Sequence, residues 1–488
     1  MTEINKKQVV VRFPPSPTGE IHIGNVRTLL FNYFFAKKNN GKIVFRFEDT
    51  DKERSKKEYE QPMLDALKNL GLSWDDEGAE YRQSERVDIY RKYLHKLVEA
   101  GLAYEDVENA QGTGKIVRLK NIEREIVWND LVKGEIKINT HTFKERDDEG
   151  NFTGENAADI IIARSVDDPI YHFTVVVDDW LMGVTHVIRG DDHITSTPRQ
   201  IMILEALQAL PHPASPNLGE EEVPPVIIPT YAHLPTIIGS DKKKLSKRNG
   251  NTALQMYLNL GYLKETVVNY LAFLGWNPGG EREFFTLDEL VQEFSFEKCQ
   301  KSPAQFDILK LNHINKHYLA KLSDEEFVEY SLMFFTEEEL GLINANLETN
   351  KKVFLKVLRE RVSVGGEVAQ AYRTGEVNMF FKYLYDLDFA KFDLQNICFK
   401  NKDGVQSLEQ AKANLKLVLE KIEGIVEGEW TAENLKNAIW DWSATVGRGT
   451  ILHPLRMVMS LKTQSPDPFT IMDIVGKTES LRRLKLVV

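Results

Sequence analysis

Over its first hundred residues the chain alternates extended and helical signals, and that rhythm limits the possible folds more than any other feature. Gln8 to Phe13 is rich in β-branched residues and is closed by Pro14-Pro15-Ser16-Pro17-Thr18-Gly19. The pattern then predicts a helix from about Asn25 to Asn39, ended by Gly41 in the C′ role, and a second strand over Lys42 to Phe47. Ser55-Lys56-Lys57-Glu58 has the form of a capping box, and Ser84 is placed to cap another helix that ends before Gly101. Strand–helix–strand–helix order calls for parallel strands joined by helical crossovers. The expected fold is an α/β doubly wound parallel sheet, which binds ligands at the carboxyl ends of its strands.

The rhythm is lost from about residue 101 to 165, which reads as an α+β insertion with a Gly-rich patch (Gly112-Thr113-Gly114) and an acidic loop from Asp147 to Glu155. Strand signals resume at His172-Phe173-Thr174-Val175-Val176-Val177 and at Thr185 to Arg189, followed by a helix from about Thr197 to Leu210. Six prolines between residues 211 and 229 mark a surface loop. Beyond residue 251 the segment Lys264 to Leu274 is amphipathic at helical spacing. Capping boxes start at Ser323, Thr336 and Ser407, so the last third is expected to be all helical. No internal repeat or low-complexity tract occurs.

At 488 residues the chain has room for about three domains. Its 42% hydrophobic and 28% charged content is that of a globular protein, and no run of some 18 apolar residues predicts a membrane span. Met1 to Lys7 lacks an apolar signal core or an Arg-rich presequence, so a cytoplasmic location is expected. Two cysteines far apart, Cys299 and Cys398, argue against a disulfide framework and against a cysteine zinc site. A net charge of −11 speaks against indiscriminate nucleic-acid coating but leaves room for a local basic face.

Two segments carry chemistry. Arg12 to Asn25 joins the first strand to the first helix and contains His22-Ile23-Gly24. A helix N-terminus offers unpaired N–H groups to a phosphate, Gly24 permits close approach of a nucleotide, and His22 can donate to phosphate oxygens. Alone this is weak, since a single histidine after a strand is more often structural. From Asp241 to Arg248, five of eight residues are basic. By itself such a run is most simply a solvated loop; its functional reading is ammonium groups that neutralise a triphosphate.

Taken together, Pro-Ser-Pro-Thr-Gly-x-x-His-Ile-Gly and the Lys-Leu-Ser-Lys-Arg run (244–248) some 225 residues later resemble the signature pair of class I aminoacyl-tRNA synthetases. The details resemble the bacterial-type glutamyl-tRNA synthetases. Arg46-Phe47-Glu48-Asp49-Thr50-Asp51, Tyr171-His172-Phe173 before Val177-Asp178-Asp179, and His186 to His193 fit the same pattern, as do Lys301-Ser302-Pro303-Ala304 and Gly476-Lys477. The resemblance implies a Rossmann-like catalytic domain in two halves (1–100 and 171–250) and a shortened acceptor-end-binding insertion (101–170). It further implies a stem-contact region (251–320) and a helical anticodon-binding region (321–488). It implies ATP, Mg²⁺, L-glutamate and tRNA(Glu) as ligands, a monomer, and no structural zinc.

On the same resemblance, His22, Lys244 and Lys247 are the catalytic cations and donors. The ATP site comprises His22, Gly24, Asn25, Asp192, Lys244, Leu245, Ser246 and Lys247, with His193 near the nucleotide or the acceptor end. Arg12, Ser16, Glu48, Tyr171 and Arg189 line the glutamate site. Residue chemistry agrees: a substrate with two carboxylates and one ammonium suits guanidinium forks, which Arg12 and Arg189 can supply, and a carboxylate, which Glu48 can supply. Basic residues of the helical third (Lys351, Lys352, Lys356, Arg359, Arg361 and Arg373, then Lys477, Arg482, Arg483 and Lys485) offer a track for tRNA, with Arg359 and Arg361 as anticodon-reading candidates. Asn25 departs from the family by replacing the second histidine of the general signature. The family's cysteine-containing stretch after Tyr104 is missing, and insertions near 145–157 and 211–228 are unusual. The alternatives are a glutaminyl enzyme, a small-molecule nucleotidyltransferase, and an inactive tRNA-binding relative.

Overall fold

A computed structural model describes residues 8–51, 53–75, 77–78, 80–107, 115–143, 159–210, 224–245, 252–402 and 404–488. The Gly112 patch, the Asp147 to Glu155 loop, most of the proline-rich loop and residues 246–251 lie outside them. The chain forms two compact units: residues 1–258 with 263–314, and residues 259–262 with 315–488.

The first unit opens as the alternation predicts. Strand β1 (Val10–Phe13), helix α1 (Ile23–Lys38), strand β2 (Lys42–Phe47), helix α2 (Glu60–Asn69), strand β3 (Tyr81–Arg82) and helix α3 (Val87–Glu99) follow in order. β1 pairs with β2, and β2 with β3, all parallel. The inserted region is antiparallel: β4 (Ala103–Val107), β5 (Lys115–Leu119), β8 (Ile160–Ser165) and β9 (Asp168–Pro169) form one sheet, and β6 (Glu125–Asp130) with β7 (Gly134–Asn139) forms a hairpin. After helix α4 (Tyr171–Leu181), strand β10 (His186–Gly190) pairs in parallel with β11 (Thr230–Leu234), with helix α5 (Thr197–Gln208) between them. Thr185, at the foot of β10, bonds Val10 through N–H···O at 2.9 Å and accepts Val10 N–H at Oγ1 at 2.8 Å, which seats β10 beside β1.

The apolar interior explains the arrangement. α1 is buried on most sides, with Leu29, Leu30, Phe31 and Phe34 at 0–1% exposure. It packs on β1, β2 and β10 and is covered by α7 (Lys264–Phe273) and α8 (Leu287–Glu293), which follow the short α6 (Leu254–Leu260). A second cluster joins Tyr93, Leu94 and Leu97 of α3 to Phe173, Val177 and Trp180 of α4, to α5, and to Trp128 of the insertion.

Four local expectations are corrected. Residues His172 to Val177 are helical, within α4, rather than a strand. Residues 173–180 are all buried, and a short apolar β-branched run buried on every side has no period that separates helix from strand. Ser55 caps nothing: a 3₁₀ turn starts at Lys57 with no side-chain cap, because Lys56 N–H is tied to Pro17 O at 2.9 Å. Ser84 instead bonds Asp49 through both N–H (2.8 Å) and Oγ (2.5 Å), and α3 begins at Val87. The left-handed residue after α1 is Asn40 (φ 48°), not Gly41.

The second unit is helical apart from a two-residue hairpin (Lys400–Asn401 with Gly404–Val405). Ser323 and Thr336 form reciprocal capping boxes, and Ser407 accepts Gln410 N–H. Arg483 corrects the basic-track reading. It is fully buried, donates to Met379 O and Met459 O, pairs with Glu479 and lies 3.8 Å from the Tyr385 ring centroid, so its charge is spent inside the unit. Gly261 has φ +92°, and a Cβ there would lie 2.5 Å from Gly365 N. Gly261→Ala should therefore destabilise the helical unit by about 2 kcal/mol or more, read as a lowered Tm by calorimetry.

Candidate active site

The carboxyl ends of β1, β2 and β10, with the segment after β11, surround a cavity of about 500 Å³. Arg12, Ser16, His22, Gly24, Asn25, Glu48, Tyr171, Arg189, Asp192, Lys244 and Leu245 all line it, so every sequence-predicted residue of the two substrate sites that is described converges there. Ser246 and Lys247 lie outside the described residues, and Arg359 and Arg361 belong to the other unit. There Arg359 pairs with Asp324 at 2.6 Å, and Arg361 with Glu376.

One wall of the cavity is built on the N-terminus of α1. His22 is its N-cap, and its Nδ1 accepts Gly24 N–H at 2.9 Å. In the neutral ring that bond leaves the proton on Nε2 as the donor. A Cβ on Gly24 would lie only 3.0 Å from His22 Nδ1, so glycine keeps this turn tight. The lysine segment is anchored at both ends. Leu245 N–H donates to Ile237 O (2.9 Å), while Ile23 N–H donates to Thr252 O and Leu254 N–H to Ile21 O (both 2.9 Å). Lys244 Nζ contacts Asp192 at 2.7 Å. Burial alone would raise the Asp192 carboxyl; Lys244 and His193 hold it below its ordinary value.

The opposite wall is a buried ionic network. Arg46 contacts Asp179 (3.0 Å), Glu48 (3.1 Å) and Asp178 (3.5 Å), and Asp179 also takes Arg12 Nε at 3.3 Å. Asp178 is completed by Arg86 (2.7 Å), Tyr90 OH (2.8 Å) and Gln83 (3.1 Å). Burial pushes Glu48 up to about 6, although Arg46 and Arg12 oppose the shift. Burial also moves the Tyr171 hydroxyl up to about 12, and His172 and His193 down to about 4, which leaves both imidazoles neutral at pH 7.

Arg189 differs from Arg12 and Arg46. Only 5% exposed, it donates to Gln200 Oε1 (2.7 Å), Thr197 Oγ1 (2.7 Å), His233 Nε2 (3.2 Å) and His193 O (3.4 Å), and no carboxylate among the described residues pairs with it. Burial lowers its pKa. A buried cation compensated only by neutral acceptors makes the cavity attractive to an anion. The sequence reading did not single out Arg27, Thr236, Gln200 or His233, and it named Asp178 and Asp179 only as part of a motif, with no role. Two adjacent acids ending an apolar run were the available signal for that pair.

Comparison with known proteins agrees with this geometry. The chain matches the family described as "tRNA synthetases class I (E and Q), catalytic domain" over residues 8–111, 105–218 and 222–313, and "Anticodon binding domain" over 304–488. It is a class I aminoacyl-tRNA synthetase by family. Within that class it belongs to the glutamate–tRNA ligase family. The glutamate–tRNA ligase of Carboxydothermus hydrogenoformans is 35% identical over 98% of this chain and 99% of its own length. That of Aquifex aeolicus is 40% identical over 76% and 79%. The crystal structure of the Elizabethkingia anophelis glutamate–tRNA synthetase matches with TM-score 0.75 at 25% identity, covering 99% of both chains. Among the described residues no helix is long and apolar enough to cross a membrane.

Asp178→Ala would leave the fully buried Arg46 and the half-buried Arg86 without their shared partner. The loss of stability should be about 3–5 kcal/mol, measured by denaturant unfolding.

Proposed function

We propose that this cavity joins glutamate to ATP and passes the product to tRNA(Glu). The observation that carries the reading is the meeting of His22 and Lys244, remote in sequence, beside two buried arginines and a buried carboxylate. The α-carboxylate of glutamate attacks the α-phosphorus of ATP in line, giving glutamyl-adenylate and pyrophosphate. The 2′-hydroxyl of the terminal tRNA adenosine then displaces AMP. His22 Nε2–H, Lys244 and Lys247 stabilise charge that develops on the phosphates, and Lys244 must exchange Asp192 for phosphate oxygen to do so. Gly24, Asn25, Leu245 and Ser246 shape the nucleotide seat. Mg²⁺ brought with ATP would supply charge neutralisation, and Asp191 and Asp192 are the hard oxygen donors on that wall that would hold it.

Arg189 takes the side-chain carboxylate of glutamate, Glu48 its ammonium, and Arg12, Ser16 and Tyr171 complete the seat. Glutamine has the same shape, but its amide cannot compensate a buried guanidinium. The insertion (101–170) receives the acceptor end, residues 251–320 contact the stem, and 321–488, with Arg359 and Arg361, read the anticodon. The enzyme acts in the cytoplasm as a monomer.

ATP–pyrophosphate exchange, run with glutamate or glutamine and with or without tRNA, tests the reading: exchange should require glutamate and tRNA. Arg189→Ala should raise the KM for glutamate roughly 10²-fold or more and leave the KM for ATP near its starting value; collapse of ATP binding instead would refute the assignment. Glu48 supplies a pH test. Below its raised value of about 6 the carboxyl is neutral and no longer offsets the substrate ammonium. kcat/KM for glutamate should therefore fall about ten-fold per pH unit below 6, and Glu48→Gln should abolish that limb.

A further inference from the structure

His233 and Asp130 stand behind the cavity, and no motif draws attention to them. Asp130 ends β6 of the inserted region, and His233 lies on β11 as the register partner of Arg189. They are 2% and 0% exposed. Asp130 Oδ1 accepts the N–H groups of Val132 (3.0 Å) and Lys133 (2.9 Å), while Oδ2 lies 2.6 Å from His233 Nδ1. His233 Nε2 lies 3.2 Å from Arg189 Nε and 3.0 Å from Thr197 Oγ1.

A guanidinium Nε always bears hydrogen and an ionised carboxylate only accepts, so one neutral tautomer alone satisfies both neighbours: proton on Nδ1, lone pair on Nε2. We propose that Asp130 and His233 are positioning residues for substrate selection: the carboxylate fixes the imidazole tautomer, and the imidazole lone pair fixes the Arg189 fork. The inserted region thereby sets the aim of the group that recognises the amino acid. The proposal rests on the assignment of Arg189 to the glutamate side chain.

Asp130→Asn tests it. The amide keeps its oxygen for Val132 and Lys133 but turns a donor toward Nδ1, which drives the proton to Nε2 and sets donor against donor at Arg189. In aminoacylation assays the KM for glutamate should rise roughly ten-fold or more, with the KM for ATP unchanged within about two-fold. His233→Gln offers a carbonyl oxygen near the Nε2 position with no tautomer to control. Whatever glutamate KM His233→Gln itself shows, Asp130→Asn in that background should add nothing. An equal effect of Asp130→Asn in both backgrounds would mark a merely structural role and overturn the proposal.

Nitrogen-15 NMR of the wild-type enzyme, with His233 assigned by its disappearance in His233→Gln, gives a reading independent of how Asp130→Asn folds. Protonation at Nδ1 is expected, and a proton on Nε2 would refute the tautomer lock. Arg189→Ala separates the two layers. If it leaves glutamate KM unchanged, the pocket assignment falls and this proposal with it. If it acts as expected while Asp130→Asn is silent, only the tautomer lock falls.

Discussion

Compensation of buried positive charge governs this site. Arg12 and Arg189 line one cavity and Arg46 lies behind it; each is at least 95% buried, a situation that is stable only if each guanidinium finds acceptors. Arg46 meets three carboxylates, and Arg12 shares one of them. Arg189 is compensated by a carboxamide, a hydroxyl, a carbonyl and an imidazole. The two arrangements serve different ends. The network around Arg46 pairs its charge with carboxylates, whereas Arg189 is hydrogen-bonded, among the described residues, only to neutral acceptors and keeps a net positive charge that an incoming carboxylate would neutralise. The proposed selectivity for an acidic amino acid rests on this difference in partners, not on the number of arginines.

The fold supplies the frame on which that difference is held. β1, β2 and β10 deliver Arg12, Glu48 and Arg189 from strands whose carboxyl ends share one rim. The inserted antiparallel region is tied into the rim as well: Lys133 Nζ reaches Asp191 at 2.9 Å and Lys301 O at 2.7 Å. A region that reads in sequence as an interruption of the sheet thus takes part in holding its ligand-binding edge.

Much of the cavity lining was legible because contiguous motifs carry the resemblance to the family. Arg12, His22, Glu48, Arg189 and Lys244 were reached through that resemblance, and one cavity brings them together. The misses have a common physical origin. α4 was taken for a strand because a run buried on all sides has no amphipathic period to report. Asp178 and Asp179, though named in a motif, were given no role because their partners, Arg46, Arg86 and Arg12, come from three other segments. The role of His233 depends on Asp130, 103 residues away, and no local pattern encodes that pairing. Ser55 and Ser84 failed as caps because tertiary bonds claimed the backbone and the hydroxyl first.

The bonds that stitch Ile21 and Ile23 to Thr252 and Leu254 join the start of the first helix to the polypeptide leaving the lysine segment. Segments remote along the polypeptide, one leading into the first helix and one leaving the lysine segment, are thereby held together by backbone hydrogen bonds.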